Sequence, residues 1–224
     1  MRSSEPQSST LDPPSAVLVS DSASERARFR IHLRDLRACT FETVSTLREI
    51  DSADIVVIPS RMLRRVLHAA PEIPGAVSLF VFGPAPELPA AYVAGARDFM
   101  KEPWDMGELQ FRLAELARRI HTPIHGPAGT LGPASLTLEG TEIPLSRQDA
   151  RLLRVFWNAP DGIATRRALA FALGVDASGS SRAVDMRIAR LRRRLQRGFA
   201  YDNPIVPVRG RGYRLNCDVS HGCG

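Results

Sequence analysis

The segment Arg182–Leu195, RAVDMRIARLRRRL, carries the densest concentration of chemistry in the chain. Val184, Ile188, Leu191 and Leu195 recur at 4-3-4 spacing, the buried stripe of a helix. At 100° per residue, Met186, Arg190, Arg193 and Arg197 lie opposite that stripe. Arg187 and Arg194 flank one side of it, and Asp185 and Arg192 the other. A guanidinium fork suits guanine or phosphate, and small or apolar groups such as Met186 and Ala189 suit thymine methyls. Downstream, PIVPVRGRGYRL holds two strand-like pieces joined by Arg209-Gly210-Arg211-Gly212. Glycines there let a tight hairpin approach a phosphate backbone, and arginines favour a narrow groove of strong negative potential. A solvated cationic face and a membrane-surface helix are the plainer readings. The lack of large apolar anchors beside the arginines speaks against the membrane.

Other constellations are thin. Cys217, His221 and Cys223 sit in a Gly-flanked tail that makes a poor zinc site. His32, His68, His121 and His125 are scattered, and no phosphate loop or nucleophile motif is present. No catalytic residue, metal or cofactor is therefore expected, and an enzyme reading ranks lowest. The three cysteines are an odd number and far apart, as free thiols in a reducing cytoplasm would be.

These residues need elements to position them. The chain has 224 residues, 44% of them apolar and 24% charged, enough for a folded core in one large or two small domains. No apolar run is long enough for a membrane span, and the polar, Pro/Ser-rich beginning lacks the apolar core of a signal peptide. The net charge of +6 is unevenly placed. Residues 1–134 hold 15 Arg/Lys against 16 Asp/Glu, and residues 135–216 hold 15 Arg against 7 acids, a net of +8. A segment so basic usually meets a polyanion.

Residues 1–14 read as a disordered tail. Apolar runs at Ala16–Val19, Ile55–Ile58 and Val77–Phe82, with a short one at Asp98–Met100, read as strands. Ser24–Arg37, with Ala27, Ile31 and Leu36, and Asp105–Ile120, with Leu109, Leu113, Leu116 and Ile120, read as helices. Strands alternating with helices predict a doubly wound parallel α/β sheet over residues 15–121. Residues 122–134, with several Pro and Gly, have linker composition. Residues 135–216 form a second domain: a hairpin over Leu136–Leu145 turning at Glu139–Thr141, a helix capped by Ser146 with Asp149 in a capping-box position, and a second helix from Thr165 to Gly174. The arginine-rich helix and the wing-like hairpin follow, and residues 217–224 are a tail.

The stretches "LS..DA.LL", "TRRAL", "RAVDMRIARLRRRL" and "IVPVRGRGYRL" resemble the C-terminal winged-helix domain of OmpR/PhoB-type response regulators, over Ser135–Asn216. The resemblance implies that Ala183–Gln196 is a recognition helix in the major groove of duplex DNA and Arg209–Tyr213 a wing on the minor groove. It places Asp185, Met186, Arg187 and Arg190 at base-reading or base-proximal positions. Arg182, Arg192 and Arg193 fall at or near phosphate-contacting ones. Arg194 belongs to the same candidate set, and Arg209, Arg211 and Tyr213 form the wing set. Arg187 stands where His is usual, and Pro207 where a Thr usually precedes the wing. The loop Gly174–Ser181 matches one that touches RNA polymerase in some relatives, which makes polymerase a further candidate partner.

More weakly, "VLVSDSASE", "ADIVVIPSRML" and "GARDFMKEPWDMGEL" resemble a receiver domain over Ala16–Ile120. Receivers accept a phosphoryl group on an Asp after the third strand, with paired acids holding Mg²⁺ and a Thr/Ser and a Lys completing the site. Here Pro59 stands at the nucleophile position. Only Asp21, beside Ser20, remains of the acid pair, Gly83 stands at the Thr/Ser position and Glu102 at the Lys position. The expectation is a degenerate, pseudo-receiver domain that is not phosphorylated in the usual way.

In relatives of this kind, dimers form on the face built from the last receiver strand and its flanking helices. Asp98, Glu108, Arg112 and Arg119 match charges of that face, and an Asp98–Arg112 pair across a two-fold axis is expected. With Leu88 and Pro89 where a basic partner is usual, the interface is expected to be more apolar, through Leu88, Tyr92, Val93 and Trp104, and the dimer constitutive. The alternative is that these residues pack the domain's own core. The leading expectation is a cytoplasmic, DNA-associated, sequence-specific transcription regulator. The alternatives are a regulator whose pseudo-receiver senses a ligand or partner, and a nonspecific DNA binder.

Overall fold

The computed structural model describes residues 13–47, 53–69, 77–126, 129–159, 162–175, 181–199 and 202–216. The first domain runs β1 (Ser15–Val19), α1 (Ala23–His32), β2 (Thr40–Val44), β3 (Ile55–Pro59), α2 (Ser60–Ala69), β4 (Ser78–Gly83), α3 (Leu88–Val93), β5 (Asp98–Lys101) and α4 (Met106–His121). Its strands form a parallel sheet in the order β2-β1-β3-β4-β5. Alternate strand residues face opposite sides. Ala16, Leu18, Ile55, Val57, Phe80 and Phe82 meet Phe29 of α1, Leu33 just after it, and Leu109 and Leu113 of α4. Val17, Val19, Val56, Ile58, Leu79 and Val81 meet Met62, Leu63 and Val66 of α2 and Ala91 of α3. Burial on both faces explains why the inner strands read as unbroken apolar runs.

Three sequence expectations shift. β2 was absent from the sequence reading; it is a half-exposed edge strand, TFETV, with no apolar run to announce it. The first helix stops at His32, not Arg37, and Ile31 is exposed; the buried positions are Phe29 and Leu33. The Pro/Gly-rich stretch read as a linker supplies two strands, β6 (Ile124–Gly126) and β7 (Gly129–Leu131). They pair antiparallel and lead into β8 (Ser135–Leu138) and β9 (Thr141–Pro144), with Leu131 fully buried in the second core. Of the expected N-terminal tail, residues 1–12 lie outside the described residues. Pro13 and Pro14 are tied down: their carbonyls accept from Arg147 and from the Thr40 amide.

In the second domain the β8–β9 turn takes positive φ at Glu139 and Gly140, as two-residue hairpins do. Then come α5 (Arg147–Asn158), β10 (Ile163–Thr165), α6 (Arg166–Leu173), α7 (Ser181–Phe199), β11 (Ile205–Val208) and β12 (Gly212–Leu215). The Ser146 and Thr165 hydroxyls accept from the amides of Asp149 and Ala168 and start α5 and α6. Gly174, left-handed at φ 68°, ends α6. The expected stripe of α7, Val184, Ile188, Leu191 and Leu195, is buried against Leu152, Leu153, Phe156 and Leu169. With the sheet β10-β12-β11 this is a winged helix-turn-helix behind a receiver-like parallel α/β domain, the expected fold class. Proline at 207 is tolerated because β11 is the edge strand.

One stripe of α5 faces the first domain. The Asp54 carboxylate, before β3, accepts from Arg147 (2.7 Å), from Arg151 (2.6 and 2.8 Å) and from the Ser15 amide (2.9 Å). Arg154 donates to the Ile120 carbonyl, and Arg97 to Asn158 Oδ1 (3.2 Å).

Candidate nucleic-acid interface

The outward face of α7 presents Arg182, Met186, Arg190, Arg193 and Arg197, with Arg194 on its flank, all exposed. The helix is held from behind. Arg192 Nε donates to the Ile205 carbonyl (2.8 Å) and ties α7 to β11. Asp149, buried on α5, pairs with Arg187 (3.2 Å) and Arg194 (3.0 Å). Arg187 also donates to the Ser146 hydroxyl (2.7 Å). The position expected to read bases is thus turned inward onto α5, and Arg187 acts as an internal clamp.

A second clamp joins helix to wing. Asp185 accepts from Arg166 and from the Tyr213 hydroxyl, and the Arg166 guanidinium lies 5.0 Å over the Tyr213 ring. Tyr213's hydrogen bond and Arg166's charge hold the Asp185 carboxyl below the usual range, although slight burial works the other way. Tyr213 itself is buried, so its side chain fixes the wing's angle, whereas Arg209, Arg211 and Arg214 stand exposed around the tip. Gly212 answers to packing inside the domain: a Cβ there would lie 2.1 Å from the Ala164 carbonyl oxygen of β10. Sequence reasoning missed Arg166 and Asp149. Their signal was weak, an Arg just inside one helix and an acid at a position read as a cap.

Residues 140–215 match the family "Transcriptional regulatory protein, C terminal". Over 204 residues the chain is 26% identical to the heme response regulator HssR of Staphylococcus saprophyticus, covering 85% of this chain and 90% of that protein. It is 32% identical over 140 residues to the protein PetR of Rhodobacter capsulatus, 56% of this chain and 59% of PetR. HssR of Staphylococcus aureus gives 30% over 137 residues and 60% of its length. The solved response regulator DrrB of Thermotoga maritima, an OmpR/PhoB homologue, shows 18% identity over 91% of this chain and 99% of its own, at a TM-score of 0.38, too slight a likeness to carry weight.

The winged-helix domain is preceded by the receiver-like one, where ligands of such sheets bind beyond the carboxyl ends of the strands. Pro59 closes β3 there, buried. Arg61, at the start of α2, donates to Glu25 (2.9 Å), Asp21 (3.1 Å) and the Ser20 hydroxyl (3.3 Å). A guanidinium thus occupies the acidic centre after β1. Those hydrogen bonds, Glu25's first, raise the Arg61 pKa further. A side chain at Gly83 would collide with the Ser60 hydroxyl at 1.9 Å. The Mg²⁺ that receivers use does not fit these residues: the acids already hold a fixed cation, and Pro59 offers no ligand. Glu102, exposed, precedes a cis bond to Pro103. Arg61 and Glu25 were missed in sequence because an Arg and a Glu in the first turns of helices look like solvated charges.

Of the expected dimer residues, Leu88, Tyr92 and Val93 are exposed, and so is Phe111 of α4, which the expectation did not include. Asp98 and Arg112, expected to pair across a two-fold axis, pair within the chain (2.8 Å), and Arg112 also pairs with Glu108 (2.9 Å). Arg119 pairs with Glu115. Trp104 packs edge-on against Phe29 and Phe82 in its own domain, so it belongs to that core and not to the interface set. The loop residues 176–180 and the candidate ligands Cys217, His221 and Cys223 lie outside the described residues. Among the described residues no helix is long and apolar enough to cross a membrane, and no group of three or more His, Cys, Asp or Glu could hold a metal ion.

Proposed function

We propose that the chain is a sequence-specific, DNA-binding transcription regulator of the response-regulator type, working in the cytoplasm on duplex DNA. The observation that carries this is the outward face of α7, where Met186 and Arg190 stand between Arg182 and Arg193, with the wing arginines beside them. Met186 and Arg190 are the base-reading pair on this reading, and Arg182, Arg193 and Arg209 hold phosphates. Arg187, Asp185 and Tyr213 position the helix and wing. Selection of bound sequences from a random DNA pool by the full-length chain tests it. The expected outcome is one enriched motif preferred by roughly 10³-fold or more over random DNA; an unenriched pool means nonspecific binding and overturns it. Arg190→Ala is expected to relax preference at one or two base positions. Arg193→Ala is expected to weaken all sequences about equally.

The receiver-like domain on this reading works without Asp phosphorylation. Pro59 at the end of β3 and the Arg61 guanidinium between Asp21 and Glu25 support it. Acetyl phosphate with Mg²⁺ is expected to leave the intact mass unchanged; a phosphoryl adduct in residues 15–121 counts against it. A constitutive homodimer through the Leu88, Tyr92, Val93 and Phe111 face is supported by their exposure, and light scattering at micromolar concentration decides it.

A further inference from the structure

A cavity of about 340 Å³ lies on the seam between the two domains, at the amino ends of β3, β4 and β5. That is the opposite end of the sheet from Pro59. The volume is at the small end of ligand sites. Its apolar wall is Val77, Leu116, Ile120 and Ile124, and its polar wall holds Asp54, Arg97, Arg119, Arg151 and Arg154.

Charge in this cavity is not balanced. Asp54 is neutralised by Arg147 and Arg151. Arg119 is held by Glu115. Arg97 and Arg154 make no carboxylate pair among the described residues: Arg97 donates to the Asn158 amide oxygen, and Arg154 to the Ile120 carbonyl. Burial depresses the Arg154 pKa, and the charge of Asp54 offsets this only in part. A half-buried guanidinium with only neutral acceptors is costly unless an anion joins it. The half-buried Arg154 guanidinium, only partly offset by Asp54, and the exposed Arg97 guanidinium stand beside an apolar wall and suit one dianion with an apolar body, and guanidinium forks match phosphoryl oxygens.

We propose that this seam cavity binds a small phosphomonoester, with its dianion on Arg97 and Arg154 and its apolar body against Leu116, Ile120 and Ile124. The site draws on both domains, so its occupant links them. It stands apart from the DNA-reading face of α7 and does not depend on it.

Calorimetric titration of the full-length chain with phenyl phosphate tests this, with inorganic phosphate and benzoate as comparators. Phenyl phosphate is expected to bind once per chain, and both comparators at least about tenfold more weakly. Arg97→Ala, a surface change that leaves the fold intact, is expected to weaken phenyl phosphate at least about tenfold, and so is Arg154→Met; Arg190→Ala is expected to change nothing. Absence of saturable heat up to about 10 mM overturns the proposal. So does equal binding of benzoate, undiminished binding in Arg97→Ala, or loss of binding in Arg190→Ala, which would place the anion on the DNA face.

Discussion

Asp149 is a single carboxylate that ties α7, the reading helix of the proposed function, to α5. It is 4% exposed and holds Arg187 and Arg194, two positions that helical geometry places on one flank of the α7 stripe. Removing one partner of such a cluster strands the others in a poorly solvated place. Asp149→Ala is therefore expected to cost about 3 kcal/mol, read as a lower thermal midpoint, and to weaken DNA binding without touching DNA. The sequence marked Ser146 and Asp149 as a helix start, and the cap is there. It could not show that the carboxylate turns to α7, because periodicity fixes a residue's angle on its own helix and not the neighbour it meets. For the same reason it could not show that Arg187, expected at a base-reading or base-proximal position, pairs with that carboxylate. Cys39 offers a second check at this scale. It is 2% exposed, and burial pushes its thiol up to about 11. In the native chain at about pH 8 it is expected to stay unalkylated by iodoacetamide, and to react once denatured, as read by peptide mass.

The elements that carry function were the most legible, because each has a period, a cap or a turn of its own. Helix α7 announced its buried stripe at 4-3-4 spacing, α6 its Thr165 start and Gly174 stop, and β8–β9 its turn. The elements that were missed have none of these signals. β2 is a half-exposed edge strand, and β6 and β7 are three-residue strands whose glycines, with the prolines in sequence around them, look like a tether, yet the strands pair across a sheet. The wing shows a subtler limit. Its glycines invite a reading as room for DNA, yet they differ. Gly210 faces open space at φ 72°, whereas Gly212, at φ 147°, lets β12 run against the Ala164 carbonyl. Gly212→Ala meets both a clash and an unfavourable φ, and is expected to cost about 2 kcal/mol or more and to splay the wing from β10. The readout is a lower unfolding midpoint together with weaker DNA binding, and wild-type stability in this variant would refute the close approach.

At the scale of the whole molecule, the charge partition between a near-neutral first domain and a basic second one was readable from composition, but the seam between them was not. Its signal lay in Arg147, Arg151, Arg154 and Asn158, which repeat at 4-3-4 spacing on α5 and pass for a solvated face. What turns that stripe into an interface is Asp54, from a segment 93 residues away in sequence. Burial alone would raise the Asp54 pKa, but the hydrogen bonds and charge of Arg151, with the Ser15 amide and Arg147, outweigh it and hold the carboxyl far below the usual range. A carboxyl depressed in this way stabilises the docked arrangement above its ordinary pKa of about 3.9, and that stabilisation fades as pH falls through this value towards the folded one. Asp54→Ala removes the anion while leaving Arg151, 12% exposed, against the first domain. About 3 kcal/mol of docking is expected to go with it at neutral pH. Small-angle scattering of the variant should then show a larger radius of gyration than wild type. The difference between the two should be constant from about pH 6 to 8 and shrink below about pH 4, as protonation silences Asp54 in the wild type. Identical profiles for the two chains would mean that the domains are held by other contacts, with Phe171 against the Val17–Val56 side of the first core the next to substitute.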